Sequence, residues 1–238
     1  MAKGNFIWAD LSTYNTRASV NYYSTVFDWE VSDDGGYHIL TKNETTIAGL
    51  YETPPFFKKI GMPHFWMSYF QVASVSEATK IAESNGGKVE LTNLPFSNGK
   101  IALIRDPLGA GFTIYEGNDL QLSINEKNRS LLKTELHTSD LERVRTFYSE
   151  IFGWSYNEMD NSTYDVLINN EASDIRMLEV PNKLKGKYEY WVLTFKIKDV
   201  ATIYDRILKT GGQMIFEETD RILVSDNSNE AFFYIESQ

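Results

Sequence analysis

Two stretches of this chain, Asn21–Trp29 (NYYSTVFDW) and Thr146–Trp154 (TFYSEIFGW), are versions of one segment, and they decide the fold. They lie 125 residues apart, and the same offset relates Trp66 to Trp191. Aromatic identities that recur at one fixed distance are typical of an internal duplication. The chain is therefore interpreted as two homologous halves.

Towards the C-terminus the offset between the halves shortens. Asp106 matches Asp226 and Glu116 matches Glu236 at an offset of 120, which a deletion of five residues in the second half explains. We expect the closing strands of the two halves to align at this shorter offset.

Each half is predicted to contain, twice over, a strand, a helix and three strands. In the first half we expect a strand at Phe6–Thr13 and a helix that begins after an N-cap at Thr13 or Asn15. A second helix, Val75–Asn85, should be closed by glycines 86 and 87 in the left-handed conformation. The other predicted features are turns at Asp33–Gly36 and Asp106–Gly109, a connection at Phe56–Pro63, and strands at Tyr37–Leu40, Thr46–Tyr51, Trp66–Val72, Lys88–Leu91, Lys100–Arg105 and Gly111–Glu116.

Composition narrows the class of protein. The chain has 238 residues, of which 42% are hydrophobic, so two packed domains are expected. It has no cysteine, which excludes disulfides, thiolate metal sites and a cysteine nucleophile. The net charge of −10 disfavours binding to nucleic acid. The N-terminus carries no apolar run typical of a signal peptide or membrane span, so we expect a cytoplasmic protein that does not bind membranes.

The motifs FIWADLST, NYYSTVFDW and ALIRDPLGAGFTIYEG of the first half resemble the vicinal-oxygen-chelate superfamily of glyoxalases, bleomycin resistance proteins and dioxygenases. The resemblance is to the tandem two-domain glyoxalase-like branch and covers essentially the whole chain. The second half keeps FYSEIFGW but has Asp226–Glu230 in place of the DPLGA turn.

The resemblance implies an α+β fold with two tandem glyoxalase-like domains. Each domain would be a pair of βαβββ modules that curl eight strands into a ligand-holding cup. We expect domain 1 at residues 1–118, a linker at 119–129 and domain 2 at 130–238.

Metal-dependent members of the family use His, Gln or Glu ligands from cup-facing strand positions. Alignment with the family pattern puts poor ligands at these positions in both halves, namely Trp8, Met67 and Thr113 in the first and Lys133, Val192 and Phe233 in the second. We therefore predict no cofactor, with a divalent metal as the alternative.

Glu135 and His137 are the fallback metal ligands. They are two residues apart on one predicted strand, so both side chains face the same side. They could offer two ligands to an ion, although a polar pair on a partly hydrated strand is the favoured interpretation.

The first-half cup is predicted to bind a ligand. Strand alternation directs Ser12 and seven predicted ligand-binding side chains into it, the seven being Trp8, Asp10, Met67, Tyr69, Gln71, Thr113 and Tyr115. Aromatic walls with one carboxylate are typical of a pocket for a small organic molecule, with a cationic or aromatic one favoured. Alternatively, these side chains simply fill the cup. If the cup is catalytic without a metal, Asp10 is the candidate general base.

Three functions remain open from the sequence. The first is a metal-free small-molecule binder of the bleomycin resistance kind. The second is a lyase, isomerase or dioxygenase of the same superfamily with a non-standard metal site. The third is a scaffold whose duplication serves folding or dimer formation, and we expect either a monomer or a homodimer.

Overall fold

A computed structural model of the chain describes residues 4–96, 98–120, 132–185 and 188–238. Its first half follows the predicted order of elements twice over. The elements are β1 (Phe6–Thr13), α1 (Thr16–Phe27), β2 (Glu30–Asp34), β3 (Tyr37–Lys42), β4 (Thr45–Glu52), α2 (Pro55–Lys59), β5 (Phe65–Gln71), α3 (Val75–Ser84), β6 (Lys88–Phe96), β7 (Gly99–Arg105) and β8 (Gly111–Glu116).

The second half repeats this order. Its elements are β9 (Leu132–Thr138), α4 (Leu141–Phe152), β10 (Ser155–Asp160), β11 (Thr163–Ile168), β12 (Glu171–Glu179), α5 (Asn182–Lys185), β13 (Tyr190–Ile197), α6 (Val200–Lys209), β14 (Gln213–Glu217), β15 (Arg221–Ser225) and β16 (Phe232–Ser237).

The strands form two eight-stranded mixed sheets, one from each half of the chain. Their orders are β2-β3-β4-β1-β5-β8-β7-β6 and β10-β11-β12-β9-β13-β16-β15-β14. In each module the first strand pairs in parallel with the last, as β1 does with β4 and β5 with β8, while the intervening pairs are antiparallel. The predicted α+β class and the paired βαβββ modules are confirmed.

The helices begin and end where their local chemistry directs. The Asn15 side chain accepts a hydrogen bond of 3.1 Å from the backbone N–H of Ala18, so Asn15 rather than Thr13 is the N-cap of α1. Gly86 and Gly211 follow α3 and α6 with φ of 85° and 95°, the left-handed conformation that glycine adopts without strain.

Three boundaries differ from expectation. Strand β2 runs to Asp34, into the segment predicted as a turn, because Asp33 and Asp34 pair with β3. The connection after β4 contains the short helix α2, which begins with Pro55 at its first position. Strand β6 extends to Phe96 through two register shifts opposite β7.

The packing of the chain divides into two compact units that each combine parts of both halves. Unit 1 comprises the described residues within Met1–Trp8, Ser68–Gln121 and Thr134–Val192. Unit 2 comprises those within Ala9–Met67, Leu122–Lys133 and Leu193–Gln238. Helix α3 contacts α4 in unit 1, and α1 contacts α6 in unit 2. The domain boundaries expected at 118 and 130 stay a prediction, and residues 121–131 lie outside the described part of the chain.

Each unit is centred on aromatic side chains. In unit 1, Phe70 packs against Phe152, Trp154 and Trp191 with ring centroids 4.9–5.4 Å apart. In unit 2, Phe195 occupies the corresponding place, and its matching contacts are with Phe27, Trp29 and Trp66 at 5.3–5.5 Å. The aromatic repeat in the sequence is therefore a repeat of core packing.

Both units contain the same buried hydrogen-bond relay. In unit 1, Trp191 Nε1 donates to the Tyr148 hydroxyl over 3.1 Å, and that hydroxyl donates to Asp106 over 3.1 Å. In unit 2 the relay runs from Trp66 to Tyr23 to Asp226, over 3.1 and 3.3 Å. Each relay satisfies buried indole, phenol and carboxylate groups, and each joins an aspartate turn of one half to a helix of the other.

The turns that carry these aspartates differ in length by one residue. The Asp106 amide bonds to the Ala110 carbonyl over 2.9 Å, whereas the Asp226 amide bonds to the Ala231 carbonyl over 3.0 Å. The second turn therefore has one more residue. The offset between the halves is 120 at the aspartates and 121 after the turns.

This extra residue changes the alignment of the closing strands. Phe233 packs against Phe195 in the core of unit 2, as Phe112 packs in unit 1, so these two phenylalanines correspond. The expectation that Phe233 stands at the position of Thr113 was wrong, and Tyr234 stands there instead. A one-residue shift along a strand moves every side chain to the opposite face.

Candidate functional site

The seven side chains predicted to bind a ligand are all buried, each at most 6% exposed. Five lie in unit 1, namely Trp8, Tyr69, Gln71, Thr113 and Tyr115, and two lie in unit 2, namely Asp10 and Met67. Burial of polar side chains is expensive unless they are hydrogen-bonded, so their partners decide what the positions can do.

In unit 1, the structure brings four of the predicted residues together on two neighbouring strands. Tyr69 lies opposite Thr113 and Gln71 lies opposite Tyr115 in the parallel pairing of β5 and β8. Residues two apart on a strand share a face, so the four side chains project to one side of this pair. The ring of Tyr69 also lies 6.0 Å from that of Phe96.

Two polar atoms of this group have no hydrogen-bond partner among the described residues. They are Gln71 Oε1 and the Tyr115 hydroxyl. The other end of the Gln71 amide is satisfied, because Nε2 donates to the Gly117 carbonyl over 2.8 Å. Leaving a buried polar atom without a partner costs about 1–3 kcal/mol, so each such atom in a native protein calls for an explanation.

The position of Tyr115 depends on two glycines. A Cβ atom on Gly99 would lie 2.5 Å from the Tyr115 ring, and one on Gly117 would collide with the Tyr115 oxygen. Neither position has room for any other residue without movement. The two glycines therefore make the space in which the Tyr115 ring is held.

In unit 2, Asp10 is fully buried and accepts a hydrogen bond of 2.5 Å from the Tyr37 hydroxyl. A Cβ on Gly49 would collide with both that hydroxyl and the carboxylate, so glycine is required beside this pair. Sequence reasoning missed Tyr37, whereas a lone glycine inside a strand, as Gly49 is, often marks such a close approach.

A second polar pair joins β1 to the residue that follows β4. The hydroxyls of Ser12 and Thr53 are 2.5 Å apart. Burial raises the pKa of the neighbouring Tyr51 to about 12, and the charge of Asp10 acts in the same direction. Tyr51 is thus a neutral hydrogen-bonding group at physiological pH.

The side chains at the family's metal-ligand positions do not fit a divalent ion. In the first half they are an indole, a thioether and a hydroxyl, from Trp8, Met67 and Thr113. In the second half they are Lys133, Val192 and, after the correction of register, Tyr234. No group of three or more His, Cys, Asp or Glu side chains suited to hold a metal occurs among the described residues.

Glu135 and His137 lie on one face of β9 and bind each other. His137 Nε2 is 2.6 Å from Glu135 Oε1, and both side chains are about 95% or more buried. His137 Nδ1 is 3.4 Å from the hydroxyl of Tyr190, whose pKa is raised by burial and then by the charge of Glu135. The fallback ligands are therefore adjacent, but they form a hydrogen-bonded pair with each other.

The second-half positions that correspond to Gln71 and Tyr115 carry an ion pair instead. Lys196 and Glu236 lie opposite each other in β13 and β16, with Lys196 Nζ 3.8 Å from Glu236 Oε1. Lys133 Nζ lies 3.5 Å from the same oxygen. The corresponding charged side chains in the second half thus form ion pairs with one another.

An open groove of about 490 Å³ lies elsewhere in unit 2, along the outer face of α1. It is lined by Thr16, Arg17, Val20, Asn21, Ser24 and His38. None of these residues was predicted to bind a ligand.

Comparison with known families is consistent with this architecture. The sequence model of the Glyoxalase/Bleomycin resistance protein/Dioxygenase superfamily matches residues 6–114. The model of the bleomycin resistance protein-like N-terminal region matches residues 131–167, at the start of the second half. The first half of the chain, over residues 6–114, belongs to the glyoxalase/bleomycin resistance protein/dioxygenase superfamily, and the start of the second half is similar to its bleomycin resistance proteins.

Relatives with 25% identity extend over most of the chain. One is "Putative glyoxylase CFP32" of Mycobacterium tuberculosis, aligned over 224 residues that cover 90% of this chain and 85% of the relative. Another is the anthracycline biosynthesis protein DnrV of Streptomyces peucetius, aligned over 240 residues that cover 92% of this chain and 86% of the relative.

Solved structures of extradiol dioxygenases share the fold. Homoprotocatechuate 2,3-dioxygenase from Brevibacterium fuscum aligns with a TM-score of 0.64 and 16% identity, covering 100% of this chain and 82% of its own. The enzyme from Arthrobacter globiformis aligns with a TM-score of 0.65 and 14% identity, covering 100% and 80%. In the described part of this chain, no helix is both long and apolar enough to cross a membrane.

Proposed function

We propose that the first half of the chain binds a small organic molecule without a metal ion. The observation that carries this proposal is the pair of buried polar atoms, Gln71 Oε1 and the Tyr115 hydroxyl, that lack partners among the described residues. A ligand that hydrogen-bonds to these atoms would recover the free energy lost by their burial. Few polar groups in a mainly apolar and aromatic surrounding are typical of small-molecule sites.

The contrast between the halves supports the first half as the binding half. Lys196 and Glu236, which replace Gln71 and Tyr115 in the second half, neutralise each other. A side-chain pair that is already satisfied gains less from a ligand. We assign Trp8, Tyr69, Gln71, Thr113 and Tyr115 of unit 1 as the binding residues, whereas Asp10 and Met67, which lie in unit 2, stay predictions from the sequence.

An aromatic ligand is favoured. Anthracyclines, which the name of one relative mentions, are planar aromatic compounds, and Tyr69 offers an aromatic side chain beside Gln71. The cationic ligand that the sequence also predicted depends on Asp10, which lies in unit 2 and already accepts a hydrogen bond from Tyr37, so it is the less favoured alternative. The proposal includes a cytoplasmic protein, monomeric or homodimeric, that binds neither nucleic acid nor membranes.

A screen of the full chain tests the proposal. Neutral, cationic and anionic aromatic compounds are added in turn, and the melting temperature is measured, because a ligand specific for the native state stabilises it by mass action. We expect a subset of compounds to raise the melting temperature of the wild type and of the exposed control Gln213→Leu. Trp8→Ala and Gln71→Leu should abolish this rise in melting temperature. A screen in which no compound stabilises the wild type would contradict the proposal.

The second candidate is an enzyme of the same superfamily, a lyase, isomerase or dioxygenase with a non-standard metal site. The buried Glu135–His137 pair, 2.6 Å apart, favours it. Elemental analysis of protein purified without chelators separates the two functions. One equivalent of a divalent metal that Glu135→Ala abolishes would establish the metal site, while metal-free protein that still binds a ligand supports the binder.

A further inference from the structure

The Gln71 amide presents a hydrogen-bond acceptor in a fixed orientation. Its Nε2 donates to the backbone carbonyl of Gly117 over 2.8 Å, and a carbonyl oxygen can only accept. This bond identifies which end of the amide is nitrogen and which is oxygen. Oε1 is the atom left without a partner among the described residues, and Oε1 cannot donate.

The Tyr115 hydroxyl is fixed in the same region. Glycines 99 and 117 closely flank its ring and its oxygen, because a methyl group on either glycine would collide with them. Gln71 and Tyr115 are directly opposite in the β5–β8 register, and both contact Gly117. An acceptor and a hydroxyl that can donate or accept therefore lie side by side within unit 1.

Charge decides which groups can approach this pair. A carboxylate has only acceptor oxygens, so it would meet the Gln71 carbonyl oxygen with like partial charge and no shared proton. A neutral O–H or N–H group supplies the missing proton. An oxygen or nitrogen beside that donor can then pair with the Tyr115 hydroxyl.

We propose that the ligand is a neutral organic molecule in which an O–H or N–H donor lies on or next to an acceptor atom, as in phenols and cyclic amides. The donor bonds to Gln71 Oε1, and the acceptor atom pairs with the Tyr115 hydroxyl. This inference rests on the proposed binding function and adds the chemical class of the ligand.

Two pairs of fragments that differ in one donor test this assignment in the full chain. 2-Pyridone has an N–H donor beside its carbonyl, and N-methyl-2-pyridone has none. Phenol and toluene have nearly the same size, but only phenol has an O–H. Dissociation constants are measured by titration with NMR detection of the protein amides.

We expect 2-pyridone to bind about tenfold more tightly than its N-methyl derivative, and phenol to bind more tightly than toluene despite being less hydrophobic. Gln71→Leu should reduce both preferences to about twofold or less, because the acceptor is gone. Tyr115→Phe should weaken 2-pyridone and phenol alike. The controls Gln213→Leu and Tyr204→Phe should behave as the wild type.

The outcomes separate this inference from the function on which it rests. Equal binding of the methylated and unmethylated fragments, or tighter binding of benzoate than phenol, would overturn the donor assignment and leave a binding protein. Absence of binding by any compound in the wider screen would overturn both.

Discussion

Two buried tyrosine hydroxyls of unit 1 have opposite surroundings, and this difference predicts opposite effects of one substitution. The Tyr148 hydroxyl accepts from Trp191 and donates to Asp106, whereas the Tyr115 hydroxyl has no partner among the described residues. Tyr148→Phe should lower the free energy of unfolding by about 1–3 kcal/mol, because an indole N–H and a carboxylate lose their partner. Tyr115→Phe in ligand-free protein should leave it unchanged or raise it by up to about 1 kcal/mol.

Urea denaturation of the two variants measures these changes. Tyr23→Phe, which breaks the matching relay of unit 2, is the internal control and should resemble Tyr148→Phe. A loss of stability on Tyr115→Phe as large as on Tyr148→Phe would show that the Tyr115 hydroxyl has a partner, and would remove the main support for the binding site.

The carboxyl of Asp106 predicts a defined pH dependence. Burial raises its pKa to about 6 from the ordinary 3.8, against the opposing effect of backbone N–H donors and of Tyr148. The folded protein therefore binds this proton more tightly than the unfolded chain does. The resulting contribution to stability is complete below about pH 3.8 and is lost as the pH rises through about 6.

The test compares wild type with Asp106→Asn from about pH 4 to about pH 7. The free energy of unfolding of the wild type, relative to the variant, should fall by about 2–3 kcal/mol over this range and then level off. A constant difference would contradict a raised pKa at this position. Asp160→Asn is a suitable control, because Asp160 is exposed and its pKa is lowered instead.

For single residues, the sequence predicted which side of a strand a side chain faces better than it predicted which residue that side chain contacts. Strand alternation was enough to predict that Gln71 faces the same way as Tyr69, and Tyr115 the same way as Thr113, because the side-chain period of a strand is fixed, but the pairing of Gln71 with Tyr115 came from the register of β5 and β8. It could not pair Asp10 with Tyr37, since that contact depends on the register of β3 against β4 and on the space left by Gly49.

At the scale of elements, the packing of Tyr115 at the end of β8 requires a glycine at position 117. A Cβ on Gly117 would collide with the Tyr115 ring and hydroxyl, whereas a Cβ on Gly111, at the start of the same strand, would meet nothing within 4 Å. Gly117→Ala should therefore destabilise the protein by about 1–3 kcal/mol through overpacking and should displace the Tyr115 ring. Gly111→Ala is the matched control and should change stability by about 0.5 kcal/mol or less.

Thermal unfolding gives the stability change, and the NMR signals of the Tyr115 ring report its displacement. Equal effects of the two alanine substitutions would contradict the tight packing between Gly117 and Tyr115. Ligand binding should be weakened only in Gly117→Ala.

The closing strands of the two halves show how an internal duplication can give a wrong alignment. A match between Glu116 and Glu236 indicated an offset of 120 for the closing strands, but the turn between Asp226 and Ala231 carries one extra residue. The contacts of Phe233 with core aromatics exposed the error. A single inserted residue leaves hydrophobic periodicity almost unchanged while it reverses the faces of a strand, so sequence matching alone could not detect it.

At the scale of the whole molecule, the two sequence halves are not the two packing units. Each sheet is built from one half, as the repeat predicted, but each unit packs helices from both halves together. The repeat could not reveal this arrangement, because two identical modules can bury their helix faces against either neighbour with the same hydrophobic pattern. The cross-half contacts are substantial, since the core of unit 1 contains Phe70 and Phe112 from the first half with Phe152 and Trp154 from the second.

This packing predicts how the chain responds to division. A fragment of residues 1–120 would expose the faces of Phe70 and Phe112 that Phe147, Phe152 and Trp154 cover in the full chain. Aromatic surface of this kind drives association or aggregation. We therefore expect the fragments 1–120 and 121–238, made separately, to aggregate or to form homodimers, and to combine as a one-to-one complex when refolded together.

Light scattering after size-exclusion chromatography gives the masses of the fragments and of their complex. The control is the full chain with a protease site introduced between residues 121 and 131, which should stay associated after cleavage. A monomeric 1–120 fragment that unfolds cooperatively on its own would show that the first half is an autonomous domain, and that the contacts between the halves are not required for folding.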